Sequence, residues 1–439
     1  MPTIAAHTLG CKVNQYDTQA MLELFLQEGY HSVSMDQQAD VYLINTCTVT
    51  GTGDKKSLQL IRKIRREHPS SLLVVCGCMA QQRGEELLST GADLVLGTQR
   101  RHEVTALLRQ VAITGKPLCA VAPLQNDQLF ECLSVSALSE HTRAVLKIQE
   151  GCGNHCSYCI IPSVRGPVRS RPLNDIRNEV LRLAGAGFCE VVLTGIHLCS
   201  YGRDLDSSLS LLDVIRTVQD TEGILRIRLG SLEPTVATPS FAAELRKADK
   251  ICPQFHLALQ SGSDTVLARM RRRYNTSQYL TGVENLRREF PHAAFTTDIL
   301  TGFPGETREE FEETKQMIET VGFARIHVFP YSPRPGTPAA SMPGQLPSGI
   351  KEQRARELIA LGHAVAGRYL ETWTGAETTL IPEEKVGTCW EGYTPEYIRV
   401  RLRENDRCLP GKPVRIRLLK ADPRVMSAEI IDNTDRKDD

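Results

Sequence analysis

Residues 144–160 read AVLKIQEGCGNHCSYCI: a mostly apolar run, two polar residues, then three cysteines within eight positions. The run has the length and composition of a buried strand. Cys152, Cys156 and Cys159 follow it in C-x3-C-x2-C spacing. One loop with that spacing wraps a 4Fe-4S cube and leaves one iron without a protein ligand, open to a substrate or cofactor. A zinc knuckle or free cysteines are the alternatives; zinc needs a fourth ligand, and His155 sits inside the short loop, where joint binding is strained.

Downstream, apolar runs at 190–193, 225–229, 255–259, 295–300 and 326–330 alternate with helical stretches. Six strands joined by right-handed crossovers curl into a complete or partial βα barrel whose strand ends form the active face. Gln149, Glu150, Thr194, Gly195, Ser231 and Gln260 stand at those ends, with Glu233 and Asp298 close by. Upstream, residues 1–115 show the same alternation, the pattern of a parallel sheet. Gly115, Pro117 and Pro123 then break the periodicity, so 116–141 is expected to be a linker and 142–372 the barrel with its following helix. In 375–439 the runs YIRVRLR and PVRIRLL alternate with period two, as strands of a small terminal β-barrel do.

At 439 residues the chain exceeds a single small module. Lys plus Arg number 52 and Asp plus Glu also 52, so nucleic acid can be held only by local patches. No apolar stretch reaches the ~20 residues needed to cross a bilayer, and the start lacks a basic region followed by an apolar run. A cytoplasmic protein with no membrane contact is expected. Fourteen cysteines are too few for a disulfide scaffold of this length.

Cys11, Cys47 and Cys78 each follow a predicted strand, in AAHTLGC, VYLINTC and LLVVCGC. The carboxyl ends of neighbouring parallel strands open on one sheet edge, so these thiols can converge there as a second three-cysteine set. Packed cysteines are the alternative reading. Cys76 belongs to the strand body, and Gly77 lets the chain turn into Cys78.

CGNHCSYC after a strand and before further βα units resembles the radical S-adenosylmethionine superfamily. TLGCKVNQYD, INTCTV and VCGCMAQ upstream, with the small β module downstream, extend the resemblance to the methylthiotransferases. LTGIHLCSYG, LALQSGSDTVLARMRRRY, TGFPGET and HVFPYSPRPGTPAA look most like the threonylcarbamoyladenosine (MtaB) branch. The resemblance implies an α/β chain: an N-terminal parallel α/β domain, a central partial (βα)6 radical SAM barrel and a C-terminal OB-like TRAM β-barrel. It implies two 4Fe-4S clusters, one at Cys152, Cys156 and Cys159 and an auxiliary one at Cys11, Cys47 and Cys78. S-adenosylmethionine would chelate the open iron of the first and yield a 5′-deoxyadenosyl radical. A second S-adenosylmethionine would methylate sulfur held at the auxiliary cluster, for transfer to C2 of N6-threonylcarbamoyladenosine beside the tRNA anticodon. An electron donor such as flavodoxin or ferredoxin is implied as a partner. The rival activities are the same reaction on isopentenyladenosine in tRNA or on a ribosomal-protein aspartate; the rival of another class is a non-catalytic, metal-stabilised RNA-binding protein.

Gln149, Glu150, Thr194, Gly195, Ser231, Glu233, Gln260 and Asp298 are expected to bind S-adenosylmethionine, with ordinary strand-end chemistry as the alternative for each. Gly195 would let the cofactor approach the backbone. Arg399, Arg401 and Arg403 on one predicted strand, with Arg415 and Arg417 on the other, are expected to form an RNA-binding stripe, with Tyr393 and Tyr397 available for stacking. Arg165, Arg169 and Arg171 are expected to form a basic rim for the anticodon-loop phosphates. Lys55, Lys56, Arg62, Lys63, Arg65 and Arg66, and Arg269 with Arg271 to Arg273, either extend that footprint or are solvated helix faces.

Overall fold

The structure, a computed structural model, describes residues 1–125, 129–135, 142–205, 208–403, 408, 410–422 and 425–431. Part of the expected linker (126–128 and 136–141) and parts of the C-terminal module (404–407, 409, 423–424 and 432–439) lie outside them.

The N-terminal part is a six-stranded parallel sheet in the order β2-β1-β3-β4-β5-β6. Its strands are Thr3–Thr8 (β1), His31–Ser32 (β2), Val41–Thr46 (β3), Leu72–Gly77 (β4), Leu94–Leu96 (β5) and Leu118–Cys119 (β6). Every residue of β3 is buried, as a strand covered by helices on both faces requires. Val41 and Leu43 pack towards helices Lys12–Gln27 (α1) and Val104–Thr114 (α4), and Tyr42 and Ile44 towards Gly51–Glu67 (α2). On α2, Ser57, Ile61 and Ile64 are buried while Lys55, Lys56, Arg62, Lys63 and Arg66 face solvent. The sheet ends beyond residue 115, because β6 is a two-residue edge strand too short to show a period.

The central part carries Arg143–Glu150 (β7), Arg169–Ser170 (β8), Glu190–Gly195 (β9), Arg226–Leu229 (β10), Ser231–Leu232 (β11), Gln254–Leu257 (β12), Ala294–Thr301 (β13) and Arg325–Pro330 (β14). They form two four-stranded sheets, β10-β9-β7-β8 and β11-β12-β13-β14, parallel except where β8 pairs back on β7. Six of these strands are the expected barrel strands. Leu146, Ile148, Val191, Leu193, Phe255 and Phe295 pack beneath the outer helices, so alternation turns Lys147, Gln149, Thr194, Arg228, His256 and Asp298 to the inner face.

The C-terminal strands Glu377–Val386 (β15), Cys389–Tyr393 (β16), Arg399–Leu402 (β17), Val414–Asp422 (β18) and Val425–Ile430 (β19) close a barrel in the order β15-β16-β17-β19-β18. Val400, Leu402, Ile416 and Leu418 fill it. Its docking to the central part uses Arg226, which donates to the carbonyls of Tyr393 (3.0 Å) and Thr379 (2.9 Å), and Arg228, which donates to those of Pro395 (2.9 Å) and Thr394 (3.2 Å).

The N-terminal sheet meets the central barrel through a buried knot of charge. Asp17 on α1 contacts Arg101 (2.6 Å), Lys147 (2.6 Å) and Arg165 (2.9 Å). Glu150 contacts the same three cations at 3.3, 2.5 and 3.0 Å, and Glu131 adds a third carboxylate at 2.9 Å from Arg101. A second attachment lies on the loop after β14: Ser332 Oγ accepts from Gly51 N (3.0 Å), and Arg334 donates to Thr48 (3.1 Å) and to the Asp54 carboxylate. No helix among the described residues is long and apolar enough to cross a membrane.

Burial alone would raise the Asp17 and Glu150 carboxyls, but the three cations outweigh it and hold both below their ordinary values of 3.8 and 4.5, Glu150 well below. A depressed carboxyl contributes stability that is present above its ordinary value and is lost as pH falls. The interface is therefore expected to hold from pH 7 to about 5 and to open progressively below about 4, read as growing protease sensitivity between the two parts. Asp17→Asn leaves buried cations short of a partner and is expected to cost about 3–5 kcal/mol, measured as a drop in Tm.

Candidate active site

The loop after β7 is pinned before any ligand is considered. Gly151 adopts φ +72, and a Cβ there would lie 1.7 Å from the Pro167 carbonyl, so no other residue fits this turn. Cys152 N donates to Gly166 O (3.0 Å), Ser157 N to Met270 O (3.0 Å) and Ser157 Oγ to Arg269 O (2.8 Å). Cys152, Cys156 and Cys159 line a cavity of about 170 Å³, whose wall also includes Ser231, Glu233, Gln260 and Asp298. Four of the eight expected cofactor residues are thus brought together with the three cysteines.

The other four stand behind the wall. Gln149 Nε2 donates to the carbonyls of Glu150 and Gly151 (2.7 Å each) and its Oε1 accepts from His197 N (2.7 Å), so it joins two loops. Glu150 is enclosed in the charge knot, which occupies its carboxylate. Thr194 is buried and does not reach the cavity. A Cβ on Gly195 would meet Gln149 at 2.9 Å, so the small residue there serves packing against the neighbouring strand. His155 is exposed and lies outside the cavity lining, which removes the fourth ligand that a zinc knuckle would need.

Of the wall residues that sequence did not single out as pocket residues, three hold Glu233. Arg272, read as part of an arginine run, is half-buried and donates to Cys156 Sγ (3.1 Å) and to Glu233 Oε1 (3.2 Å). Asn154 and His197 also hold Glu233, the latter at 3.0 Å while its other ring nitrogen meets Ser200 Oγ at 2.6 Å. Burial opposes ionisation of Glu233, but the bond to His197 and the Arg272 charge prevail and lower it to about 2. The cavity therefore presents a fixed carboxylate, suited to an ammonium or to hydroxyl groups. Gln260 has φ +67, a conformation disfavoured for a side-chain-bearing residue and characteristic of ligand sites.

The second cysteine set lies where the N-terminal sheet faces this loop. Cys11 caps α1, Cys47 follows β3, and Cys78 opens the helix Cys78–Arg83 (α3) immediately after Gly77, whose φ is +94. The three are close enough for Cys11 and Cys78 to act electrostatically on Cys47. Asn14 Nδ2 ties two of the loops by donating to Leu9 O (2.9 Å) and Thr46 O (3.0 Å). Arg165 Nε donates to Cys78 Sγ (3.2 Å). Cys76 instead directs its S–H at Ile44 O (3.6 Å) within the strand. Burial pushes the Cys47 thiol up to about 11 and that of Cys159 up to about 12, so both stay protonated unless a metal centre displaces the proton. Each triad thus combines soft sulfur donors with a guanidinium donor on one sulfur, a set that fits an iron–sulfur cluster. Cys78 also packs on Ile160 and Val164 of the segment Ile161–Arg165 (α5) and its preceding residue. Ile160 is the neighbour of Cys159, so the two sets adjoin.

The expected phosphate rim is not one. Arg165, Arg169 and Arg171 are buried; Arg165 belongs to the charge knot, and Arg171 pairs with Asp175 and Glu179. Around the C-terminal barrel the arginines are exposed but matched: Arg399 and Arg401 with Glu391 (2.5 Å each), Arg403 with Glu429 (3.0 Å), and Arg415 and Arg417 with Glu377 (3.2 and 2.8 Å). Tyr393 and Tyr397 stack on each other at 4.5 Å with Arg143 above them, so the pair forms part of the docking contact.

A cysteine cavity at the mouth of a partial parallel barrel defines a radical S-adenosylmethionine protein, and residues 146–318 match the Radical SAM superfamily. Residues 3–97 match the uncharacterized protein family UPF0004. The chain belongs to the methylthiotransferase family of radical S-adenosylmethionine proteins. It is 42% identical to the threonylcarbamoyladenosine tRNA methylthiotransferase MtaB of Bacillus subtilis (strain 168), over 96% of this chain and 94% of that one. It is 35% identical to the tRNA-2-methylthio-N(6)-dimethylallyladenosine synthase of Moorella thermoacetica, over 97% of each. Among solved structures, the radical S-adenosylmethionine methyltransferase TsrM from Kitasatospora setae shares the fold, with a TM-score of 0.57 and 16% identity over 77% of each chain.

Gly10 has φ +120, and a Cβ there would lie 3.0 Å from Cys47 Cβ and 2.9 Å from Asn14 Nδ2. Gly10→Ala is expected to disturb the set of Cys11, Cys47 and Cys78 alone. After anaerobic reconstitution, metal analysis should show a loss of about half of the iron.

Proposed function

We propose that this chain is a radical S-adenosylmethionine tRNA methylthiotransferase that adds a methylthio group to C2 of N6-threonylcarbamoyladenosine next to the anticodon. The observation that carries the reading is the pair of adjoining cysteine triads, in a chain 42% identical along almost its whole length to an MtaB protein. The family binds an iron–sulfur cluster and S-adenosylmethionine; two 4Fe-4S clusters, one per triad, are part of the proposal. When bound at Cys152, Cys156 and Cys159, a reduced cluster with S-adenosylmethionine supplies the hydrogen-abstracting radical that no side-chain base can replace. Ser231, Glu233, Gln260 and Asp298 hold the cofactor, with the Glu233 carboxylate towards its ammonium or ribose. Gln149 fixes the cluster loop against the His197 loop. Arg272 and Arg165 each place a guanidinium donor on one cysteine sulfur, of Cys156 and of Cys78. Cys11, Cys47 and Cys78 hold the sulfur-delivering centre beside the radical site.

The division proposed is an N-terminal unit over 1–115, a linker, a radical barrel over 142–372 and an RNA-binding barrel over 375–439. The exposed Arg399, Arg401, Arg403, Arg415 and Arg417 bind RNA: Arg403, Arg415 and Arg417 exchange the solvent-accessible Glu429 and Glu377 for phosphate, since exposed ion pairs contribute only about 0–1 kcal/mol each, while Arg399 and Arg401 keep the buried Glu391 and offer their remaining N–H groups. A flavodoxin or ferredoxin delivers the electron, and the reaction takes place in the cytoplasm.

Cys156→Ala is expected to abolish 5′-deoxyadenosine formation and methylthiolation together. Cys47→Ala is expected to leave 5′-deoxyadenosine formation measurable while ending thiolation; thiolation that persists would overturn the auxiliary role. Mass spectrometry of tRNA nucleosides from cells with and without the gene tests the substrate, and unchanged 2-methylthio-N6-threonylcarbamoyladenosine would exclude it.

A further inference from the structure

The solvent face of α2 carries positive charge that goes unmatched. Lys55, Gln59, Arg62 and Arg66 stand at i, i+4, i+7 and i+11, one line along the helix, with Lys56 and Lys63 beside it. All six are exposed, while Asp54, Ser57, Ile61 and Ile64 turn inward. The acids of the helix offset these five cations only slightly. Asp54 is buried against Arg334 and Arg83, and Glu67 meets Lys63 (3.8 Å) and Arg66 (3.4 Å) in exposed pairs, which hold weakly in water. Among the described residues Lys55, Lys56 and Arg62 have no ion pair. The C-terminal barrel differs, since each of its five arginines has a carboxylate at hand.

This helix begins beside a cysteine of the N-terminal set. Its first residue, Gly51, comes four positions after Cys47, and a Cβ on Gly53 would stand 3.9 Å from Cys47 Cβ. Gly51 N donates to Ser332 Oγ (3.0 Å) on the loop after the last barrel strand, so the foot of α2 lies on the seam between the two parts. Because β3 and β4 pair in parallel, the helix that joins them runs back from that seam along the sheet. At ~1.5 Å of rise per residue, the cations from Lys55 to Arg66 extend over roughly 17 Å. A strip of positive charge thus leads away from Cys47 over the outer surface of the N-terminal sheet.

The composition of the strip selects its occupant. Its six side chains are long and polar, whereas a protein interface is anchored at its centre by buried aromatic or aliphatic groups. Ammonium and guanidinium groups in a row, without such a centre, suit a phosphate backbone, which releases counterions for each cation it meets. A nucleoside that reacts between the two cysteine sets also brings the phosphates on either side of it to the same seam. We infer that the exposed face of α2, through Lys55, Lys56 and Arg62, holds backbone phosphates of the substrate RNA next to the reacting nucleoside. The inference rests on the substrate reading and adds to it a binding surface outside the C-terminal barrel. An acidic electron-donor protein is the competing occupant.

The test measures equilibrium binding of a fluorescent anticodon stem-loop RNA, with N6-threonylcarbamoyladenosine or adenosine at the reacting position, to the anaerobic, cluster-loaded full chain over a series of salt concentrations. Lys55→Ala, Lys56→Ala and Arg62→Ala are combined in one protein. Each phosphate contact contributes about 0.7–0.9 to the slope of log K against log salt. The triple variant should therefore lower that slope by about two and weaken binding about tenfold or more at low salt, equally on both RNAs. Its Tm and iron content should match the wild type, because all three side chains are exposed. A triple variant with wild-type affinity and slope overturns the inference. The wild type supplies a second reading that needs no variant: bound RNA should shield Lys55 and Lys56 from acetic anhydride, read by mass spectrometry. Lysines left open by RNA overturn the inference, and if a flavodoxin shields them instead, the face belongs to the acidic protein. A wild type that binds neither stem-loop overturns the substrate reading itself, a result distinct from RNA bound with these lysines open.

Discussion

Two carboxylates and three cations, all withdrawn from water, set the relation between the halves of this molecule. Asp17 comes from the N-terminal sheet's first helix and Glu150 from the end of the first barrel strand, and each touches Arg101, Lys147 and Arg165. Buried ion clusters are weak sources of net stability, because desolvation offsets most of the Coulomb attraction. What they impose is geometry, since every misplacement leaves an unmatched charge. Here that geometry places the Arg165 guanidinium at once on the knot and on Cys78 Sγ, so the attachment of the two parts and the position of a cysteine are set by one side chain.

The same economy governs the cavity. Arg272 bridges Cys156 and Glu233, and Gln149 bridges the cysteine loop and the His197 loop. Each links a residue of the cluster loop to one at a later strand end. The site is consequently assembled by side chains that touch two loops apiece, and the loop sequences alone do not display those links.

The strands and their parallel arrangement were legible because each rests on a local signal: an apolar run, then a glycine or polar residue at the turn. The six barrel strands agree with the expected runs to within a few residues. What was not legible depends on partners far away in the chain. Gln149 and Glu150 are adjacent and both polar, and only the packing of α1 shows that one faces inward and the other towards the N-terminal sheet. Arg165 and Arg171 look like any basic residues until Asp17 and Glu179 stand opposite them. Arg399 and Arg415 suggested a naked positive stripe because Glu391 and Glu377, which neutralise them, sit on other strands. Arg272 was concealed by its arginine neighbours, and no periodic signal separates the one that turns inward.

The N-terminal sheet is fastened to the barrel at several places: by the charge knot, by Ser332 and Arg334 gripping the start of α2, by Thr98 donating to Val164 O (2.8 Å) and by the Tyr16 hydroxyl, which meets Arg171 (2.9 Å) and Glu179 (3.0 Å). One fastening leaves a pivot and two leave a hinge, and each further one removes a freedom. Relative motion of the two cysteine sets would therefore have to break buried contacts first.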